Sequence, residues 1–194
     1  MKIRRLTILL RNLFLDKHKI IKNISGEGNA VNVNPSCVFG ELHIIIWGNN
    51  NRLEIADNCI LKKNNTIFIS GDHNHVKLDA HVTFDQDVSL VCCEGTNLTI
   101  GKDCIFAKGV RIRTSDQHAI YDKDNIRTNP AKNIDIGEHV WLGNSVVINK
   151  GVKIGPGSVI GIGAIVTHDV PANSIAVGVP ARVVEQNIHW IESV

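Results

Sequence analysis

Ile136-Gly-Glu-His-Val-Trp-Leu142-Gly-Asn-Ser-Val-Val-Ile148-Asn-Lys-Gly-Val-Lys-Ile154-Gly-Pro-Gly-Ser-Val-Ile160-Gly-Ile-Gly-Ala-Ile-Val166 decides the fold. An aliphatic residue returns every six positions, followed by Gly137, Gly143, Asn149, Gly155, Gly161 and Thr167, which are small or polar. Four positions after each anchor stands a second inward candidate: Val140, Val146, Val152, Ser158, Ala164 and Val170. A helix repeats every 3.6 residues and a strand every two, so a sustained period of six points to a solenoid with flat sides of about six residues. Three such sides close one coil.

Followed backwards, the same unit recurs once per coil from residue 29. Val33, Ile55, Leu78, Ile100, Ile136 and Ile154 are its anchors, at separations of 22, 23, 22, 36 and 18 residues. Eighteen residues make three sides of six. The early coils therefore carry four or five extra residues, and the 36-residue step holds one coil plus an excursion. The extra residues are polar and turn-forming, Gly48-Asn-Asn-Asn51 and Ser70-Gly-Asp-His-Asn74, as expected of a bulging corner.

Composition agrees with one continuous core. A chain of 194 residues is one domain's worth, with 43% hydrophobic residues and 5% aromatics, as suits a narrow prism lined by Ile, Val and Leu. The net charge of +2 is not clustered beyond the N-terminus, which disfavours a nucleic-acid partner. Cys37, Cys59 and Cys104 share the repeat position of Val82, Val140 and Ser158, so they read as small core residues. Cys92-Cys93 lies at a corner, and its reading stays open. An odd cysteine count without a cleavable signal predicts a reducing, cytoplasmic compartment.

Three segments are expected: an N-terminal cap over 1–28, the solenoid over 29–185 and a tail over 186–194. Within the cap, Ile3, Leu6, Leu10 and Leu13 keep helical spacing beside Arg4, Arg5, Arg11 and Lys17. The stretch is too short to span a bilayer. It predicts a short helix closing the open end of the solenoid, with peripheral association at the inner membrane surface as the alternative. The tail, Asn187-Ile-His-Trp-Ile-Glu-Ser-Val194, is expected to pack on its own subunit or a neighbour.

Chemistry enters where the repeat breaks. Counting hexads from Ile100, Phe106 and Ile112 assigns the next inward position to His118, just before the polar stretch Ala119 to Lys132. A long loop leaving a rigid scaffold beside a histidine is a common way to build a site. A free imidazole, with a pKa of about 6.5, can take the proton of a hydroxyl as that hydroxyl attacks. Acyl transfer from a thioester then needs a positioned acceptor, a donor in line and N–H groups for the oxyanion, with neither a metal nor an enzyme nucleophile. His139 reads as a surface residue beside Trp141. His73, His75 and His81 with Cys92-Cys93 match no strong zinc spacing, so no metal site is expected.

The hexad pattern resembles that of the hexapeptide-repeat acyltransferases, an all-β family whose sides wind into a left-handed parallel β-helix. Ile112-Arg-Thr-Ser-Asp-Gln-His118-Ala-Ile-Tyr-Asp122, Arg127-Thr-Asn-Pro-Ala-Lys132 and Ile136-Gly-Glu-His-Val-Trp-Leu-Gly143 are most similar to the bacterial surface-polysaccharide O-acetyltransferases, in particular those of sialic-acid capsules. The ending Ile165-Val-Thr-His-Asp-Val-Pro-Ala-Asn-Ser-Ile-Ala-Val-Gly-Val-Pro-Ala-Arg182 resembles the signature of acetyl-CoA-dependent members.

The resemblance implies His118 as general base, with Trp141 beside the acetyl-CoA arm or the acceptor. Gly143, Ala164 and Thr167 would line the CoA cleft and Arg182 would reach a CoA phosphate. His168, where many relatives have Lys, would be a further CoA contact. Asp116 and Tyr121 are the candidate substrate contacts, and Asp116 could instead orient the base. A homotrimer with sites between neighbouring prisms is implied as well. The acceptor is left between a surface glycan and a small sugar, nucleotide-linked amino sugar or antibiotic. A non-catalytic scaffold is the third reading.

Overall fold

The computed structural model describes residues 19–192. They wind into a parallel β-helix of three faces, one strand per face per coil. The first face runs Lys19–Ser25, Glu41–Trp47, Asn65–Ser70, Ser89–Cys93, Arg111–Arg113, Val147–Ile148 and Ile165–Val166. The second runs Ala30–Val33, Arg52–Ile55, His75–Leu78, Asn97–Ile100, Ile134–Ile136 and Lys153–Ile154. The third runs Val38–Phe39, Ile60–Leu61, Thr83–Phe84, Ile105–Phe106, Trp141–Leu142, Val159–Ile160 and Ser174–Gly178, and ends with Ala181–Gln186 folded back antiparallel on its neighbour.

The spacings read from the sequence are the pairing register. Val33 lies opposite Ile55, Ile55 opposite Leu78, Leu78 opposite Ile100, Ile100 opposite Ile136 and Ile136 opposite Ile154. Because side chains alternate across a strand, this register points one column of each face inward. Leu42, Leu61, Leu90, Phe106 and Leu142 are fully buried, and Phe84 stacks on Phe106 at 4.9 Å. Each such side chain contributes about 1.5–3 kcal/mol by leaving water.

Among the described residues, the buried polar side chains all have hydrogen-bond partners. The polar corners form a ladder in which Asn51 Nδ2 donates to Asn29 Oδ1 (3.1 Å) and Asn74 Nδ2 to Asn51 Oδ1 (2.9 Å). The core cysteines repeat one contact. Cys37, Cys59 and Cys104 donate their thiols to the corner carbonyls of Ala56, Asp79 and Gly137 in the next coil, and Ser158 donates to Pro171 at 2.7 Å in the same manner. Burial pushes the Cys104 thiol up to about 12, consistent with an inert core residue. Cys92 is inward and Cys93 is 3% exposed, which resolves that pair as buried.

The first boundary differs from expectation. Residues 19–25, placed in the N-terminal cap by the sequence, form a strand pairing with Glu41–Trp47, so the solenoid begins before residue 29. Its inward positions are Ile20, Lys22 and Ile24, and the lysine at the open end hides the alternation. The helix expected further upstream lies outside the described residues, and no helix occurs among those described. At the other end the tail packs on its own chain: Trp190 stacks on the His139 ring at 3.9 Å, and its Nε1 donates to the His139 carbonyl at 3.1 Å.

Candidate active site

The first face ends its fifth strand at Arg113, and the buried hydroxyls of Thr114 and Ser115 turn the corner. The chain then leaves the solenoid at Asp116 and rejoins the second face at Ile134, opposite Leu98. Between them stands a hairpin. Tyr121 bridges Arg127 in antiparallel fashion, and Thr128 N donates to Ile120 O (2.8 Å). At the tip, Asp122 Oδ1 accepts from the amides of Asp124 and Ile126, both at 2.9 Å.

Two charged clamps fasten the hairpin to neighbouring coils. Glu94, one coil earlier, accepts from Ser115 Oγ and from Arg127 Nη1 at 2.5 Å. The Arg127 guanidinium, then Ser115, hold its carboxyl below the usual range. Lys150, one coil later, donates to Asp116 Oδ2 at 2.5 Å and to the Asn129 carbonyl at 2.9 Å. Lys150 first and Asn129 second likewise hold the Asp116 carboxyl low.

His118 stands at the hairpin base and is exposed, not inward. The hexad count failed here because the chain leaves the coil two residues earlier, and Thr114 fills the corner through its bonds with Thr96 (2.7 Å) and Cys93 N (3.0 Å). The His118 carbonyl accepts from Asn129 Nδ2 at 2.8 Å, while its imidazole has no hydrogen-bond partner among the described residues. Asp116 does not touch the ring: its carboxylate is occupied by Lys150 and Asn129. Tyr121 is 56% exposed on the hairpin.

The remaining candidates fall elsewhere on the prism. Thr167 and His168 occupy the corner between first and second faces, the row that also carries Asp116 and Lys150, and Thr167 Oγ1 lies 2.9 Å from His168 Nδ1. Trp141 points outward from the third face, 43% exposed and 6.0 Å from Trp190. Arg182 lies exposed on the antiparallel strand of that face, its Nη1 donating to the Ala181 carbonyl. Gly143 turns the next corner, where an added Cβ would meet the Ile162 nitrogen at 2.8 Å. Ala164 is fully buried, its side chain packing the core.

One chain therefore does not bring His118 and Trp141 together. His118 leaves the corner between the first two faces, and Trp141 stands on the face opposite that corner. The sequence also missed Trp190, Asn129, Lys150 and the Glu94–Arg127 pair. Asn129 and Arg127 lay inside a motif already singled out, but their partners are set by coil stacking.

No protein-family model matches the chain. A polysialic acid O-acetyltransferase of Neisseria meningitidis is 33% identical over 141 residues, which cover 62% of this chain and 66% of that protein. A polysialic acid O-acetyltransferase of Escherichia coli O1:K1 / APEC is 50% identical over 101 residues, 52% of this chain and 33% of that protein. By sequence, the chain thus spans less than two thirds of either curated relative. The crystal structure of the polySia specific acetyltransferase NeuO superposes with a TM-score of 0.73 at 33% identity, covering 91% of both chains. With the repeat, the coil register and this superposition together, the chain belongs to the hexapeptide-repeat acetyltransferase family, alongside the polysialic acid O-acetyltransferases.

Proposed function

We propose that the protein is an acetyl-CoA-dependent O-acetyltransferase acting on a sugar hydroxyl of a bacterial surface polysaccharide, with a sialic-acid capsule as the acceptor class. The observation that carries this reading is the exposed imidazole of His118, without a hydrogen-bond partner among the described residues and held on a clamped hairpin. In the proposed reaction His118 takes the hydroxyl proton as the sugar oxygen attacks the thioester carbonyl. The C–O bond forms, the tetrahedral oxyanion collapses, the C–S bond breaks, and the imidazolium returns its proton to the CoA sulfur. Trp141, Gly143 and Arg182 mark the strip along which the donor would lie, with Thr167 and His168 on the far corner.

A homotrimer supplies what one chain lacks. The outward column of the second face is polar and charged: Asn32, Glu54, Lys77, Thr99, Asp135 and Lys153 in register. The first face instead shows Ile45, Phe68 and Val91 before Arg113 ends that column, and the third shows Ile105, Trp141, Val159 and Ile175. Packing the first face of one copy against the third face of the next hides apolar surface and leaves the charged face in water. That contact carries His118 towards Trp141 of the partner subunit. Acetyl-CoA as donor implies reaction on the cytoplasmic side, and the basic apolar stretch at the N-terminus is the segment proposed to meet the membrane surface.

Release of CoA is the test, measured with acetyl-CoA and either capsular polysaccharide or a panel of soluble sugars, nucleotide sugars and aminoglycosides. Polysaccharide should be the better acceptor, and His118→Ala should lower kcat by a factor on the order of 10²–10⁴ with the assembly intact. Millimolar CoA should raise the melting temperature, because a ligand of the native state alone adds stability. A folded His118→Ala enzyme at wild-type rate sinks the general-base reading. Preference for a soluble sugar overturns the acceptor, and a monomer at micromolar concentration overturns the shared site.

A further inference from the structure

We propose that Asn129 is the positioning residue of this site, the side chain that sets the backbone from which His118 works; the proposal rests on the reading of His118 as general base. One carboxamide bonds three residues that bracket the histidine. Asn129 Oδ1 accepts from Ile120 N at 2.6 Å, and Nδ2 donates to the His118 carbonyl at 2.8 Å and to Asp116 Oδ2 at 2.9 Å. Positions 116, 118 and 120 are thus tied to a single point across the hairpin. Only an amide of this length offers an acceptor and two donors in one plane.

Asn129 is itself held from both sides. Pro130 follows it and disfavours the helical region for its backbone. Its carbonyl accepts from Lys150 Nζ at 2.9 Å, the same ammonium that pairs with Asp116, so the staple is referred to the next coil of the solenoid. On the entering side, Gln117 adopts a left-handed φ of 64° and its amide donates to Ser115 Oγ at 2.8 Å. Beyond that turn, the bond from Asn129 Nδ2 to the His118 carbonyl orients the peptide plane that follows the histidine.

The consequence is catalytic because a proton-transfer partner misplaced by about 1 Å can cost on the order of 10² in rate. Asn129→Ala should therefore lower kcat by roughly 10- to 100-fold while KM for acetyl-CoA stays within about twofold. Asn129→Asp replaces the donating nitrogen by a carboxylate oxygen facing the Asp116 carboxylate and the His118 carbonyl. Its rate relative to wild type should recover as pH falls and the new carboxyl regains a proton to donate, a pH dependence that lost packing alone does not produce.

The deciding experiment is a double-mutant cycle on the full chain, with steady-state CoA release read alongside circular dichroism and gel filtration. If Asn129 acts through His118, His118→Ala/Asn129→Ala should be no slower than His118→Ala alone. A double variant slower by the product of the two single factors, or an Asn129→Ala enzyme at wild-type kcat, overturns the proposal. If His118→Ala itself keeps the wild-type rate, the general-base reading fails first and takes this one with it, so the two failures are told apart by the single variants. Should Asn129→Ala not fold, Asn129→Ser carries the same cycle with one short hydroxyl in place of the three-way staple.

Discussion

Gly143→Ala separates two reasons for a glycine at the turn out of the third face. A methyl group there would lie 2.8 Å from the Ile162 nitrogen, 3.0 Å from the Ile160 carbonyl oxygen and 3.1 Å from the Ile162 Cα. Those atoms are backbone of the following coil and have no rotamer into which to retreat. Ordinary carbon contacts begin near 3.5 Å, so the two coils must part by roughly half an ångström. The Gly143 N to Ile160 O bond, now 2.8 Å, lies across that seam and would be stretched towards the edge of hydrogen bonding. Overpacking of about 1–3 kcal/mol plus a weakened bond of about 1 kcal/mol gives a loss of roughly 2–4 kcal/mol. At about 2–4 °C per kcal/mol for a chain of this size, the melting temperature should fall by roughly 5–15 °C. The comparison is Gly163→Asn. Gly163 has a φ of 68° and no atom within 4 Å of an added Cβ, and its row already holds Asn64, Asp87 and Ser145 in the same conformation. That change should stay within about 0.5 kcal/mol. Differential scanning fluorimetry with and without CoA, plus calorimetric CoA titration, reads both variants. Unchanged melting with weakened CoA binding in Gly143→Ala would refute the coil-spacing reasoning and return the glycine to the ligand.

Acid should release the hairpin before it unwinds the coils. The Glu94 and Asp116 carboxyls are both held below their ordinary values, so their contribution is complete above about pH 4.5 and disappears as pH falls through the lowered values. Hydrogen exchange at Thr128 N should accelerate over that interval while Ile136 and Ile148 stay protected; simultaneous loss would contradict the ordering. Trp190→Ala should expose the side of Trp141 and raise the Michaelis constant of whichever ligand packs there by several-fold, leaving the pH profile unchanged. Unaltered constants with unaltered melting would leave the tail without a part in binding. Leu142→Ala, deep in the core, should cost about 2–5 kcal/mol by thermal or denaturant unfolding, and a smaller loss would mean the prism collapses around the cavity.

The scaffold was legible because a solenoid turns sequence separation directly into register. Each interval between Val33 and Ile154 is the distance along the chain to the residue facing it in the next coil, so counting was already topology. Counting failed where the chain stops obeying the coil. His118 was given an inward position by extending hexads through a corner that Thr114 and Ser115 close with hydroxyls. Lys22 broke the alternation that would have exposed the first strand. Asn129, Lys150 and Glu94 were invisible as a group because their meeting depends on which residues stack across coils once the hairpin is excised.

The second face rejoins at Ile134 opposite Leu98 with the register it would have had if the hairpin were absent. Its strand pairs and its inward column are complete without the hairpin, and only Lys132 and Asn133 of that segment enter the corner, Lys132 N donating to the Thr114 carbonyl (2.9 Å) and the Asn133 carbonyl accepting from Gly151 N (3.1 Å). The solenoid and the loop that bears His118 are therefore separable units of variation. Substitutions at the hairpin tip, beyond the Glu94 and Lys150 clamps, can reshape the loop beside His118 while the coils continue to fold as they did.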